Sequence, residues 1–145
     1  MNQTRKEKDW RIHVAKNGCV CQCGCGKIID DLLPGACNAR TVGMEKYNHL
    51  DFQFVLDVPV EVIGWILNNM CYRVQAGEVF HAGDMVDGLF QDYDVRLDEF
   101  MEDNITMLRV IIPDDNHLFP EDEQCMDLYK IQSLQTKDLY IQEYQ

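Results

Sequence analysis

The amino-acid sequence predicts an α+β (or α/β) domain: a small mixed or mainly antiparallel sheet packed against one main helix, about 59–76, with a marginal C-terminal helix. Three observations predict it. Phe52, Phe54 and Leu56 alternate with Gln53 and Val55, the period-two pattern of a strand with one face in a core. Directly after them Ile63, Ile66, Leu67, Met70 and Val74 recur along one side of a helix. Ile105 to Pro113 is rich in β-branched residues and is cut by Pro-Asp-Asp-Asn, a turn.

The remaining elements follow in chain order. Residues 1–11 read as a basic N-terminal arm, 12–124 as a single globular domain and 125–145 as a C-terminal amphipathic tail. Ile12 and Val14 precede a polar turn at Lys16-Asn17-Gly18, and the stretch from Gly26 to Arg40 reads as a linker broken by Pro34-Gly35. The main helix begins at Pro59, whose missing N–H is harmless in a first turn, with Glu61 near the positive dipole end. Gly77 can take the left-handed conformation that closes it. Residues 78–95 carry Gly83, Gly88 and four aspartates, a loop with one short strand, and Val95 opens a further strand. In the tail, Leu128, Ile131 and Leu134 recur at spacing three, a weak helix that needs a partner surface.

Composition narrows the function classes. With 145 residues, 46% hydrophobic and 26% charged, the chain has the make-up of one globular domain. No run of 18 apolar residues occurs, so a membrane-spanning helix is not expected. The N-terminus has no apolar stretch of signal-peptide length, and the expected location is the cytoplasm. The first sixteen residues carry five basic and two acidic side chains, a balance of +3, and the rest carry eight and twenty-three, a balance of −15. A body this acidic repels phosphate backbones, so nucleic acid is not expected as a partner, and with no long apolar run a membrane is not expected either. The basic arm and the Gln-containing tail suggest assembly into a homo-oligomer.

Four of the seven cysteines fall in Cys-Val-Cys-Gln-Cys-Gly-Cys, residues 19–25. On a strand, Cys19, Cys21, Cys23 and Cys25 share one face at roughly 6.5–7 Å steps, too far apart for tetrahedral zinc unless the backbone curls. The favoured reading is therefore a packed strand face, with buried cysteine acting as a small hydrophobe. Redox chemistry and a metal site remain open beside it. Because Gly24 and Gly26 loosen the chain, Cys23, Cys25 and Cys37 are the candidate metal ligands, with His49 as a fourth and zinc as the metal.

Two ordered stretches carry a family resemblance. One runs from Ala39-Arg40-Thr41-Val42-Gly43-Met44 to Gly83-Asp84, and the other from Met107 to Asp122. Within the first lie Asn48-His49-Leu50-Asp51, the Phe52–Leu56 strand, the Pro59-to-Gly77 helix and Phe80…Gly83. The chain resembles the domain-of-unknown-function 4262 family of bacteria and their phages over about residues 12–124. Arg40 stands where that family usually has an aromatic residue, and Leu50-Asp51 replaces Pro-Glu. The resemblance implies a fold and carries no activity. Occurrence in phage implies an anti-defence role, either sequestering a small signalling nucleotide or inhibiting a host factor.

The candidate ligand-binding residues are Arg40, Thr41, Gly43, His49, Glu78, His81 and Asp84. Arg40 offers a planar fork that suits phosphate oxygens. Thr41 and Gly43 offer a hydroxyl and backbone N–H groups, and His49 belongs to the residue type that titrates near neutral pH. Glu78, His81 and Asp84 place one imidazole and two carboxylates in a glycine-flanked loop, a metal or water-polarising set if they converge and ordinary solvation if they do not. Asp114, Asp115 and His117 read as a turn. No phosphate-loop, dinucleotide or nucleophile-elbow motif occurs, and Ser133 is the only serine. The reading that follows is a small non-enzymatic binding protein for a small molecule or a host protein. The alternatives are a small hydrolase acting on a nucleotide with His49 or His81 as base, and an inhibitor acting through its acidic surface.

Overall fold

The computed structural model describes residues 7–141. Six strands are laid down: β1 (Arg11–Lys16), β2 (Ala36–Val42), β3 (Asp51–Leu56), β4 (Met85–Val86), β5 (Val95–Glu102) and β6 (Ile105–Ile111). Helix α1 (Val60–Gln75) follows β3, and the one-turn helix α2 (Asp127–Lys130) follows β6. The strands form one sheet in the order β1-β2-β3-β6-β5-β4, antiparallel throughout except for the parallel pair β3 and β6. A parallel pair needs a long crossover, which α1 and the β4–β5 pair supply. The mixed sheet, the single main helix and the small C-terminal helix match the α+β expectation.

Helix α1 is built as its sequence requires. Pro59 precedes it in an extended conformation, and Ile63, Ile66, Leu67, Met70, Cys71 and Val74 are buried against the sheet. At its end Gly77 adopts φ 107°, its N–H donates to Val74 O, and the Glu78 N–H donates to Arg73 O. These are the two bonds of a Schellman motif, which satisfy carbonyls that a helix end otherwise leaves open. Trp10 joins this core from before β1: it is buried, meets Tyr72 edge-on at 4.7 Å and donates from Nε1 to Asn68. The arm is thus tied down from Trp10 onward, whereas its Arg5 and Lys6 lie outside the described residues.

The other face of the sheet is polar in its middle. His13, Arg40, Gln53, Arg109 and Asp98 are successive register partners across β1, β2, β3, β6 and β5, so alternation turns all five to the same side. Arg109 is fully buried there. It donates to Gln53 Oε1 at 2.8 Å, to the carbonyls of Gln132 and Leu134 at 2.8 and 2.5 Å, and to Thr136 Oγ1 at 3.3 Å. Its guanidinium also stands 3.5 Å over the Phe100 ring.

The segment that covers Arg109 is the C-terminal tail. The expected amphipathic helix is reduced to α2 and two 3-10 turns, Ile131–Ser133 and Thr136–Leu139. Apolar spacing alone did not dictate a helix because these residues are held by the sheet: Leu139 packs with Leu32, Ala36 and Val55, and the Gln132 amide exchanges two bonds with the backbone of Ile112. Asp114 prepares the path. Its carboxylate accepts from the N–H groups of Asn116, Leu118 and Met126 at 2.9, 3.0 and 2.8 Å. Burial raises its pKa, but the backbone donors of Leu118, Met126 and Asn116 outweigh that and hold it below the usual carboxylate range.

Two further segments depart from expectation. Residues 19–25 are not a strand: Val20 makes an isolated bridge to Ile28 and the chain then turns, because Gly24 and Gly26 adopt φ 89° and 77°. β2 begins at Ala36, inside the stretch expected to be a linker.

Two outcomes are expected. Arg109→Ala strands three buried acceptors at about 1–3 kcal/mol each, so urea unfolding should show a loss on the order of 3 kcal/mol or more, with Arg109→Lys retaining part of it. For Asp114 the depressed folded-state pKa means stabilisation that is present above the unfolded carboxyl value and lost as pH falls through the folded one. The unfolded carboxyl titrates at about 3.9. Urea midpoints measured from neutral pH down to about pH 2.5 should therefore fall less steeply for Asp114→Asn than for the native chain.

Candidate binding groove and cysteine hairpin

Between β1 and β2 the chain makes a self-contained excursion. Asn17 closes its neck: the side chain donates to Leu32 O at 2.9 Å and accepts from Leu32 N at 3.1 Å. Above the neck a narrow ladder forms from Gly18 N to Ile29 O, Ile29 N to Cys19 O and Cys21 N to Lys27 O, each 2.8 Å. The tip docks on β1 through Gln22 Oε1, which accepts from Val14 N at 2.8 Å.

At the tip the thiols of Cys21, Cys23 and Cys25 lie within 4.8 Å of one another, close enough to hold a metal ion. The Cys23 N–H points at Cys21 Sγ at 3.5 Å, and the two sulfurs are 2.9 Å apart. Metal–sulfur bonds of about 2.3 Å place tetrahedral sulfurs roughly 3.8 Å apart, which small adjustments of an exposed loop can reach. Of the ligands expected from the sequence, Cys23 and Cys25 belong to this group, and Cys21 is the member the sequence reading left out. Cys37 does not belong. It follows Ala36 onto the α1 side of β2, where its thiol is fully buried against Leu56 O at 3.1 Å. Burial, reinforced by Asp57 and opposed by Lys16, pushes that thiol up to about 12. Cys71 is likewise pushed up to about 12, first by burial, so both core cysteines are protonated and inert at neutral pH.

A groove of about 350 Å³ runs between this hairpin and the polar face of the sheet, with His13, Asn38, Arg40, Tyr140 and the cysteines Cys21 and Cys23 on its walls. Arg40 faces Glu102 at 3.6 Å. Asn38 donates to Glu102 at 2.7 Å and to the Tyr140 hydroxyl at 3.1 Å, and accepts from Gln53 at 3.0 Å. The groove floor is therefore continuous with the buried Arg109 network through Gln53. A second depression of about 380 Å³ lies beyond the shared residues Glu102 and Tyr140, beside Thr136 and Lys137.

Of the seven expected ligand-binding residues, Arg40 alone lines the groove. Thr41 alternates to the opposite face, where its hydroxyl donates to Asp51 at 2.7 Å and accepts from Phe52 N at 3.0 Å. Gly43 has φ 130°, and a Cβ there would come within 3.2 Å of Trp10. His49 is wedged by Phe52 and Phe80; its Nε2 accepts from Phe80 N at 2.9 Å and its Nδ1 lies 2.7 Å from Leu50 O. Both ring nitrogens are thus occupied, Nε2 in holding the 78–84 loop and Nδ1 against the neighbouring backbone carbonyl. Glu78 is bound by Arg73 through two bonds, 2.6 and 3.0 Å. His81 is 75% exposed, and its backbone N–H donates to Asp84 at 2.8 Å, a local turn. His49 and the loop do meet, but as a brace. Asp114, expected as part of a turn, organises one.

The residues missed in the sequence are His13, Asn38, Gln53, Glu102, Arg109 and Tyr140. One signal for them was present: Arg109 interrupts the apolar run Met107 to Ile112, and a cation at an inward strand position must find buried partners. The pairing of His13 with Arg40 across strands has no such local trace. Comparison with family models, with curated proteins and with solved structures returns no match for this chain.

Proposed function

We propose that this chain is a small non-enzymatic binding protein of the cytoplasm that takes a phosphate-bearing small molecule, of the nucleotide class, into the groove beside Arg40. The observation that carries the reading is Arg40 itself, half-buried on the polar face, register partner of His13 and flanked by Asn38 and Tyr140. A guanidinium and an imidazole suit phosphate oxygens, the Tyr140 ring offers a surface to a base, and Asn38 offers hydrogen bonds. A volume of about 350 Å³ lies in the range of small-molecule sites. Glu102 already partners Arg40, and the chain carries a net −12, so the electrostatics favour a ligand with one phosphate over a polyphosphate. Binding is favoured over hydrolysis because His49 has both ring nitrogens engaged and His81 stands on a separate loop. The phage-type sequestering role implied by the family resemblance fits this reading. No described helix is long and apolar enough to cross a membrane.

Calorimetric titration with a panel of inorganic phosphate, a nucleoside monophosphate and a cyclic dinucleotide tests the proposal. One of the nucleotides should bind and be recovered intact after the protein is denatured, and Arg40→Gln should weaken it at least tenfold. Absence of binding across the panel, or recovery of altered nucleotide, overturns it. A homo-oligomer, proposed from the arm and tail, is read from the mass of the native protein.

A second reading concerns the hairpin, and the convergence of Cys21, Cys23 and Cys25 favours it: zinc held by three thiolates, with a fourth position left to solvent. Native mass spectrometry of protein purified with zinc present should show one ion per chain, lost in Cys23→Ser.

A further inference from the structure

We infer that the hairpin tip is a three-thiolate site for a soft ion that takes three sulfurs from one side, trivalent arsenic or cuprous copper, in preference to zinc. This rests on the metal reading of Cys21, Cys23 and Cys25 and narrows the ion. Three facts of the structure support it. First, the thiol group ends at three: among the described residues no further Cys, His, Asp or Glu joins Cys21, Cys23 and Cys25. Cys19, the nearest other thiol in sequence, lines a separate depression with Ile12, Gly64 and Asn68, and Cys37 is buried in the sheet. Second, the one other polar side chain inside the turn is committed, because Gln22 accepts from Val14 N. Third, Cys23 and Cys25 are exposed at a turn built on Gly24 and Gly26, so the three sulfurs form an open cap and not a closed cage.

The coordination chemistry follows from that shape. Structural zinc is almost always four-coordinate, and this turn supplies three ligands. Soft thiolates select soft ions, and a three-sided cap suits ions content with three bonds. Charge favours arsenic among the three ions. Three thiolates leave zinc at −1 and cuprous copper at −2, but trivalent arsenic at zero, the smallest addition to a chain already at −12. With arsenous acid the step is a ligand exchange without redox change. Three S–H bonds and three As–O bonds break, three As–S bonds form, and three waters leave carrying the three thiol protons.

The experiment uses the full chain, reduced with a thiol-free phosphine and titrated separately with arsenite, cuprous ion and zinc. The readouts are native mass and protection of cysteines from alkylation. One arsenic per chain is expected, with a mass gain of arsenic less three protons, and with Cys21, Cys23 and Cys25 protected while Cys19 alkylates freely. Cys21→Ser, Cys23→Ser and Cys25→Ser should each weaken arsenite or cuprous binding at least 100-fold, and Cys19→Ser should leave it unchanged. Zinc should bind at least tenfold more weakly than the better of the two soft ions. Tighter zinc binding that needs Cys19 as well overturns the three-coordinate site while leaving a metal-binding hairpin in place. Failure of all three ions to protect any thiol overturns both. Because the tip is solvent-exposed and its ladder is backbone, the variants should keep the native charge-state distribution, which reports folding independently of metal.

Discussion

Removing a guanidinium from water is costly unless its donors are met, and the sheet is built around one, Arg109, whose hydrogen bonds go to no carboxylate. Instead Gln53, two tail carbonyls, the Thr136 hydroxyl and the Phe100 ring share the task. Burial lowers its pKa to about 9, while Asp98 and Glu102 oppose that shift from a distance. It stays cationic at neutral pH. Because two of its acceptors belong to residues 132 and 134, the second layer of the domain is fixed by a charge as well as by the apolar packing of Leu139. Among the described residues no buried side-chain nitrogen or oxygen lacks a partner, which is the condition such a polar interior must meet.

The same network reaches the surface. Arg109 holds Gln53, Gln53 donates to Asn38, and Asn38 donates to Glu102, which faces Arg40. A groove whose charged wall is bonded through to the core has its side chains pre-oriented, so little rotamer freedom is left to lose on binding. The cysteine tip is built on the opposite plan, from backbone ladder and left-handed glycines at an exposed end.

How much of this was legible in the sequence follows from which forces are local. α1 was plain because six buried positions, a proline start and a glycine stop all agree within one segment. β3 was plain for the same reason. The start of β2 was not, since Ala36-Cys37-Asn38-Ala39 has no strong strand preference and is extended only because β1 and β3 pair with it. The tail's helix was legible but is only one turn long, α2, because beyond Lys130 the hydrogen bonds are claimed by Ile112 and Arg109. Arg40 lines the groove and Cys23 and Cys25 converge at the turn their glycines make, placements that residue chemistry and glycine spacing made legible. His49 was misplaced because a histidine in a glycine-rich neighbourhood looks the same whether its ring serves a ligand or a backbone N–H.

The Asn17–Leu32 clasp carries a consequence for how such a chain can change. By tying the two ends of the excursion to each other, it makes residues 18–31 an interchangeable cassette: the sheet register on either side is set before the cassette begins. Insertions, deletions or a different set of turn residues there alter the rim of the groove without disturbing the strands that hold its floor. The frame and the hairpin tip are thereby free to evolve at different rates, one constrained by buried charge and the other by a backbone ladder, the asparagine clasp and the Gln22 contact with β1.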